Sequence, residues 1–397
     1  MYRRNKRRQK IWAKLFEQAI RDKSFKLPSA AVIQIIPTEH CNLRCPMCNQ
    51  WGETGYFFDG IRPVQHMEEE NLVKLIRSLS ARESLISIHG GEPFVYKQIE
   101  KLLDLLSEQP YDVMISTNGT LLSRYLEQVN KIKNLGLLVS IDGDLETHDK
   151  IRGHGRFKQV NDGLVALFDL RRRTGGPLPL VILNFVVCEW NTNEIEKVYD
   201  VARQLGVFAL NYNMRWFLTE EIGIAYEAHL EKYFNLKSSG AWRGWISNYK
   251  NHDYKLATTE LQRIAQKKRF NLIPPYVTSS PGRLRGNDFD AWFSDYLNVF
   301  GSDSCFMPFY WARILSNGDL IYCPGHPDII GGNVFRDGFM NAFNSEITIK
   351  FRKHILSHRF PICNRCCGLH MTKSARPYER KVRRKMGLNK PISGYLN

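Results

Sequence analysis

Between residues 31 and 213, short apolar runs alternate with amphipathic segments six times, a rhythm that few folds accept. The runs AVIQII (31–36), SLISIHGGEP (84–93), YDVMIST (111–117), LGLLVSIDG (135–143), PLVILNFVV (179–187) and VFALNYN (207–213) predict strands. Between them lie segments with helical spacing. In EEENLVKLIRSLS, for example, Leu72, Val73, Ile76 and Leu79 share one face, and Glu68 to Glu70 suit a helix N-terminus. Six such units predict an α/β protein with a parallel sheet and helices outside it. They are too many for a small sandwich and too few for a full eight-stranded barrel. The expectation is a partial (β/α)6 TIM-like barrel spanning 31–213, and the 397-residue length leaves room for a second, smaller domain. In parallel barrels the chemistry sits on loops after the strand C-termini. The segments CNLRCPMC, HGGEP, STNGT, SIDGDLETHDKIRG and VCEWN all fall in such loops.

The first of these loops gathers Cys41, Cys45 and Cys48 within eight positions. A disulfide framework favours even numbers and a structural zinc site takes four ligands, so three thiolates suit a metal centre with one position open. On spacing alone a zinc loop remains the alternative. A second set begins at Cys305 and Cys323, with Gly318 between them in the pattern C-x12-G-x4-C. Cys363 and Cys366 follow as C-x2-C, with Cys367 adjacent. A β-hairpin and a later C-x2-C can bring four sulfurs together, for a cluster or for zinc. No apolar run reaches the roughly 18 residues of a membrane span, and no signal-peptide core follows the basic start MYRRNKRRQK. The expected location is the cytoplasm, where thiols stay reduced and read as metal ligands.

CNLRCPMC after a first strand resembles the radical SAM superfamily, although Met47 stands where that family usually has an aromatic residue. The resemblance implies a four-iron cluster on Cys41, Cys45 and Cys48 whose open iron chelates S-adenosylmethionine (SAM). It further implies reductive cleavage to a 5′-deoxyadenosyl radical and a low-potential electron donor of flavodoxin or ferredoxin type. GGEP (Gly90, Gly91, Glu92, Pro93) is similar to the family's contact with the methionyl amine, with glycines that permit close backbone approach. Ser116 and Asn118 in STNG, and Ser140 and Asp142 in SIDG, match later cofactor loops. Arg152 in HDKIRG resembles the arginine that pairs with the SAM carboxylate, a task suited to a bidentate guanidinium. Asn184 and Val186 lie where adenine contacts are implied. The second cysteine set resembles the auxiliary-cluster extension called SPASM, or twitch when shortened. With only Cys367 beyond Cys366, the expectation is one auxiliary [4Fe-4S] cluster on Cys305, Cys323, Cys363 and Cys366. Cys367 could replace Cys366. Cys188, just past the fifth strand, is a candidate hydrogen donor beside the alternative of a structural thiol, and Tyr212 and Tyr322 have the same status.

The net charge of +16 is concentrated at the ends. Residues 1–26 carry ten Lys/Arg against Glu17 and Asp22, and residues 365–397 carry nine against Glu379. Basic ends suit an anionic membrane surface, an acidic substrate or nucleic acid, or simply cover the barrel. Ile11, Trp12, Leu15, Phe16, Ala19 and Ile20 recur at helical spacing. That basic amphipathic segment (1–30) is expected to dock on its own chain, with peripheral membrane contact as the alternative. Residues 214–300 show no strand–helix repeat and are expected to connect the domains and cover a substrate. A twitch-like domain is expected over 301–368 and a basic tail over 369–397.

The combined expectation is a radical SAM oxidoreductase acting on a small molecule, a sugar or a lipid-linked compound, with an anionic or membrane-associated substrate as the variant that the basic ends suit. A peptide maturase, an epimerase or a C–C bond-forming enzyme is the alternative. The rival from another class, a zinc protein on nucleic acid, leaves GGEP, SIDG and HDKIRG unexplained.

Overall fold

The computed structural model describes residues 2–79, 84–176, 178–247, 254–268, 274–280, 288–300, 305–323, 325 and 327–366. The alternation read from the sequence is realised as β1 (Val32–Ile35), α2 (Glu69–Ser78), β2 (Leu85–Ile88), α3 (Ile99–Ser107), β3 (Asp112–Thr117), α4 (Leu126–Lys131), β4 (Leu135–Ser140), α5 (Leu145–Arg152), α6 (Arg156–Thr174), β5 (Leu180–Val187), α7 (Ile195–Gln204) and β6 (Ala209–Met214). All six strands pair in parallel, in sequence order. Helix α1 (Tyr2–Arg21) precedes them.

The sheet does not stop at residue 213. After α8 (Glu220–Phe234) and α9 (Lys255–Lys268), β7 (Tyr276–Ser280) adds in parallel to β6. After α10 (Asp288–Ser294) and α11 (Met307–Tyr310), β8 (Trp311–Ile314) adds in parallel to β1. The result is eight parallel strands in the order β8-β1-β2-β3-β4-β5-β6-β7, extended by antiparallel β9 (Asp319–Ile321) and β10 (Gly332–Asn333). The expected six-stranded core is present, but the regions divided off at 214–300 and 301–368 each contribute a strand to it. Their sequences, YVTSS and WARI, mix polar with apolar residues and lack the apolar run of the preceding strands, so the pattern alone did not reveal them. The auxiliary region continues with α12 (Val334–Asp337), α13 (Phe339–Phe343) and α14 (Glu346–Ser357).

Side-chain alternation separates two faces. Ile115, Val139, Leu183, Phe185 and Tyr212 are buried under the helices, and Tyr212 donates its hydroxyl to the Ile195 carbonyl of α7 at 2.7 Å. Ser116, Ser140, Asn184, Val186, Asn211 and Asn213 alternate with them and line the interior. Side-chain caps fix several helix starts: Asp144 accepts from Thr147 N, Thr219 from Ile222 N and Ser345 from Thr348 N.

Helix α1 docks on its own chain. Trp12, Phe16, Ala19 and Ile20 are buried, and Phe16 meets Phe306 and Phe309 edge-on at 5.0 and 4.6 Å. Arg8 is buried with them and pairs with Asp112, the first residue of β3, at 2.9 Å. The apolar stripe that suggested a membrane contact is thus covered by the protein itself. Among the described residues no helix is long and apolar enough to cross a membrane. Cys367 and the basic segment beyond it lie outside the described residues.

Removing one partner of a buried ion pair strands the other charge. Arg8→Ala is therefore expected to lower the unfolding free energy by about 3 kcal/mol, while Lys10→Ala, on the exposed side of α1, stays within about 0.5 kcal/mol. Urea denaturation of the two variants checks this, and equal midpoints would remove α1 from the structural core.

Candidate functional site

The cysteine loop leaves the C-terminal end of β1 and folds back on itself. Cys48 N donates to Cys45 O at 2.9 Å, Gly52 N to Cys48 O at 2.8 Å, and Trp51 Nε1 returns to Glu39 O at 2.8 Å. Two backbone amides point at sulfur: Leu43 N lies 3.4 Å from Cys41 Sγ, and Trp51 N 3.4 Å from Cys48 Sγ. Such donors favour thiolate over thiol. Burial opposes them and pushes the metal-free Cys41 thiol up to about 12. Bound iron removes that penalty, because a coordinating thiol is deprotonated outright.

Gly90 and Gly91 do more than turn the chain after β2. A Cβ at Gly90 would stand 2.3 Å from Thr38 O, and one at Gly91 2.2 Å from His40 O. The close approach these glycines permit is therefore, first, to the backbone of the cysteine loop. Gly91 N donates to Thr38 O at 3.1 Å and Glu92 N to His40 O at 2.7 Å. The Glu92 side chain, expected to meet cofactor, is turned inward. It accepts from Phe94 N (3.1 Å), Thr117 Oγ1 (2.7 Å) and Asn118 N (2.6 Å), so it fastens the GGEP loop to the end of β3. Pro93 is buried at the start of the following 3-10 turn. Asn118 likewise holds the protein together: its Nδ2 donates to Asn42 Oδ1 at 2.8 Å, and its Oδ1 accepts from Thr120. These two side chains brace the site, because their polar atoms are already hydrogen-bonded.

Asp142 and Arg152 form the charged part of the mouth. Asp142 is fully buried and accepts from Arg152 Nε at 2.5 Å and from Val186 N at 3.0 Å. Burial alone would lower the Arg152 pKa. That is the largest single influence, but the charge and hydrogen bond of Asp142 together with the Cys45 and Cys48 sulfurs outweigh it and hold the guanidinium above its ordinary value. The guanidinium thus stands between the SIDG loop and the cysteine loop. The Ser116 and Ser140 side chains face the interior, and neither hydroxyl has a hydrogen-bond partner among the described residues. Asn184, opposite Ser140 in the register, accepts from Asn211 Nδ2 at 2.9 Å.

The structure encloses all three candidate hydrogen donors. Cys188 is fully buried, and burial pushes its thiol well up. Tyr212 and Tyr322 are equally enclosed. Their hydroxyls are taken by Ile195 O and, for Tyr322, by Ala342 O and Thr348 Oγ1.

The second cysteine set gathers around the β8–β9 hairpin and a 3-10 turn at Pro361–Arg365. Cys323, Cys363 and Cys366 are buried and Cys305 is half-buried. Burial drives the Cys363 thiol up, and the Cys305 and Cys323 sulfurs push it further in the same direction. Gly325 N points at Cys323 Sγ from 3.4 Å. Arg365, between Cys363 and Cys366 in the sequence, is fully buried and donates to Trp292 O at 2.6 Å and Asn298 O at 2.9 Å. Among the described residues no three His, Cys, Asp or Glu side chains are drawn tightly enough together for one bare ion. A cubane takes each thiolate on a different iron, so its four ligands stand further apart than those of a single ion. Sulfur-rich loops, amide donors on sulfur and a nearby guanidinium fit iron–sulfur clusters at both places.

Residues 35–202 match the family model of the radical SAM superfamily, and residues 305–367 match that of SPASM, the iron-sulfur cluster-binding domain. GTP 3′,8-cyclase of Stenotrophomonas maltophilia (strain R551-3) is 33% identical over 171 residues, covering 42% of this chain and 49% of its own. Fe-coproporphyrin III synthase of Methanosarcina barkeri is 31% identical over 172 residues, 42% of this chain and 39% of its own. The chain thus spans about half the length, or less, of the curated relatives it matches. Among solved structures, Streptococcus suis SuiB bound to S-adenosylmethionine aligns with a TM-score of 0.60 at 15% identity, over 89% of this chain and 76% of that one. Native anSMEcpe with bound AdoMet aligns at 0.57 and 18% identity, over 90% and 98%. At such identity the likeness is one of fold.

Glu92 offers a test of the brace. Burial pushes its carboxyl up to about 7 from 4.5, against the hydrogen bonds of Asn118, Thr117 and Phe94. Between those two values the folded chain holds a proton that the unfolded chain has released, so stability falls as pH rises through the window. The loss is on the order of 3 kcal/mol from pH 4.5 to 7.5. Glu92→Gln is expected to remove that slope, while costing stability where its amide meets Asn118 N. Denaturation of the metal-free protein at pH 5 and pH 7.5 checks both, and parallel slopes in wild type and variant would place the titration elsewhere.

Proposed function

From the premise that this chain is a radical SAM protein with a C-terminal SPASM-like iron–sulfur domain, we propose that it oxidises an unactivated carbon centre of a small-molecule, sugar or lipid-linked substrate. Its cofactors are SAM and [4Fe-4S] clusters. Cys41, Cys45 and Cys48 would hold the cluster that serves SAM, and Cys305, Cys323, Cys363 and Cys366 the auxiliary one. When bound, these groups supply a 5′-deoxyadenosyl radical and an internal electron acceptor.

The protein's own residues divide the remaining work. The backbone of Gly90 and Gly91 and the hydroxyls of Ser116 and Ser140 line the methionyl and ribose side. Arg152, oriented through Nε by Asp142, presents its terminal nitrogens to the SAM carboxylate, where bidentate geometry fits. Asn184 and Val186 bound the adenine side. Hydrogen-atom loss, one electron and one proton together make a two-electron oxidation, such as alcohol to carbonyl. An external low-potential donor of flavodoxin or ferredoxin type would supply the electron that initiates cleavage.

The observation that carries the oxidation reading is an aromatic run between the two cysteine sets. Tyr56 lies just beyond the first loop and bonds through its N–H to Asn49 O at 3.2 Å. Its ring is 6.1 Å from Trp245, which is 4.8 Å from Trp216. Trp216 packs so closely on Gly325 that a Cβ there would fall 2.2 Å from the indole, and Gly325 N points at Cys323 Sγ. Contiguous aromatic packing of this kind favours an auxiliary site that communicates with the barrel over one that only ties the chain.

Anaerobic reconstitution is expected to give about eight irons and eight sulfides per chain, falling to about four in a Cys305→Ala/Cys323→Ala variant. That variant should still form 5′-deoxyadenosine under dithionite but yield no oxidised product. Zinc without sulfide would sink the reading. Arg152→Lys keeps the charge and loses the planar fork, so SAM affinity is expected to fall about tenfold with little change in iron content. Equilibrium binding of SAM to the reconstituted protein measures it, and unchanged affinity would release Arg152 from this role.

A further inference from the structure

The interior wall continues past Asn184 into polar groups that the cofactor does not account for. On β6, Asn211 and Asn213 face inward, because Tyr212 between them is committed to the helix layer. Asn211 is satisfied: it donates to Asn184 Oδ1 at 2.9 Å and accepts from Thr278 Oγ1 at 3.0 Å. Asn213 is not, since its Oδ1 is buried without a hydrogen-bond partner among the described residues.

A second orphan lies at the adjoining strand ends. Glu189, two residues past β5, pairs through Oε1 with Arg215, the residue after β6. The two side chains are 8% and 10% exposed. Glu189 Oε2 is buried and has no partner among the described residues. Ser247 Oγ stands 3.5 Å from Oε1 in the segment that covers this corner, and Tyr254 lies near enough to feel the Glu189 charge. Buried acceptors are nearly always paired, so two orphans on adjoining strands point to a missing donor.

The charge around them is balanced. Arg215 is matched by Glu189, and Arg152 by Asp142. Among the described residues, a substrate carboxylate or phosphate would therefore meet Glu189 Oε2 without a spare cation beside it, and an ammonium would add a charge that none of them offsets. Hydroxyl groups satisfy acceptors without either cost.

We propose that Glu189 and Asn213 are specificity-determining residues that receive hydroxyl hydrogens of a neutral, polyhydroxylated substrate held at the β5–β6 end of the barrel. This rests on the reading of the protein as a radical SAM enzyme with its substrate in the barrel, and it narrows that substrate to an uncharged sugar or polyol. Glu189→Gln is the informative change, because the retained oxygen still serves Arg215 while an acceptor becomes a donor.

Isothermal titration of the reconstituted full chain with SAM present tests it, using methyl glucoside as the neutral probe and glucuronate as the anionic one. Methyl glucoside is expected to bind saturably in the millimolar range and more tightly than glucuronate. Its affinity should fall about tenfold in Glu189→Gln and in Asn213→Leu, the scale of one lost hydrogen bond. Tighter binding of glucuronate, unchanged affinity in both variants, or no saturable methyl glucoside binding up to about 100 mM overturns the inference. The comparison of the two probes on the wild-type chain stands whether or not either variant folds. Dithionite-driven formation of 5′-deoxyadenosine by the same wild-type sample is read separately. Its absence would overturn the radical reading itself, whereas its presence with failed probe binding would overturn only the substrate assignment.

Discussion

The mouth of this barrel depends on two loops whose backbones meet with no side chain between them. Gly90 and Gly91 approach Thr38 O and His40 O so closely that any Cβ would force the loops apart. The hydrogen bonds Gly91 N to Thr38 O and Glu92 N to His40 O then fix their relative height. From that contact the rest follows by short steps. Glu92 reaches to Thr117 and Asn118, Asn118 reaches back to Asn42, and the cysteine loop is held on three sides before any cofactor arrives. Preorganisation of this kind places ligand sulfurs by polar bonding in the protein, so bound metal does not have to order the loop.

Electrostatics at the mouth is arranged around the same geometry. Burial raises the metal-free Cys41 and Cys45 thiols and so opposes the thiolates that a cluster requires. The compensation comes from amide donors on Cys41 and Cys48 and from Arg152, which is close enough to Cys45 and Cys48 for their sulfurs to raise its pKa. Arg152 is itself tethered to Asp142, which is held by Val186 N and backed by the neutral His148 ring at its own N–H. The cation is thus fixed in position by a fully buried acid. A lone arginine on this rim would turn toward water; paired through Nε, it keeps its terminal nitrogens directed.

The sequence carried much of this. Six strands, the helices between them and both cysteine sets were legible because periodicity and ligand spacing are local properties. What was not legible depended on tertiary placement. Glu92 and Asn118 sit in the expected loops, yet their side chains bond protein, which only the neighbouring loops determine. Cys188 follows a strand as a catalytic group might, but Asn191 Oδ1 accepts from its N–H, and the turn buries it. Strands β7 and β8 escaped notice because YVTSS and WARI lack the continuous apolar run that marks the earlier strands. Glu189, Asn213 and Arg215 also escaped, since nothing in VCEWN or NYNMRW indicates that two strand ends will share one ion pair.

The placement of β8 changes how the two halves of the chain relate. A C-terminal domain merely tethered by a linker would leave the β1 edge open, and an open edge has unpaired N–H and C=O groups. Here β8 covers that edge in register, Val32 against Trp311 through Ile35 against Ile314, so the hairpin that leads to Cys323 is built on the strand that leads to Cys41. The base is locked in the same sense. Phe16 of α1 packs on Phe306 and Phe309, and the fully buried Arg352 of α14 donates to Phe25 O and Pro308 O. N-terminal helix, first strand and auxiliary region therefore share one core. Loosening any of them would move both cysteine sets relative to each other, and the aromatic contacts from Tyr56 through Trp245 and Trp216 to Gly325 have little slack for such movement. The fold thus makes the spacing between its two ligand sets a property of the hydrophobic core, leaving the cofactor-facing residues to vary without disturbing it.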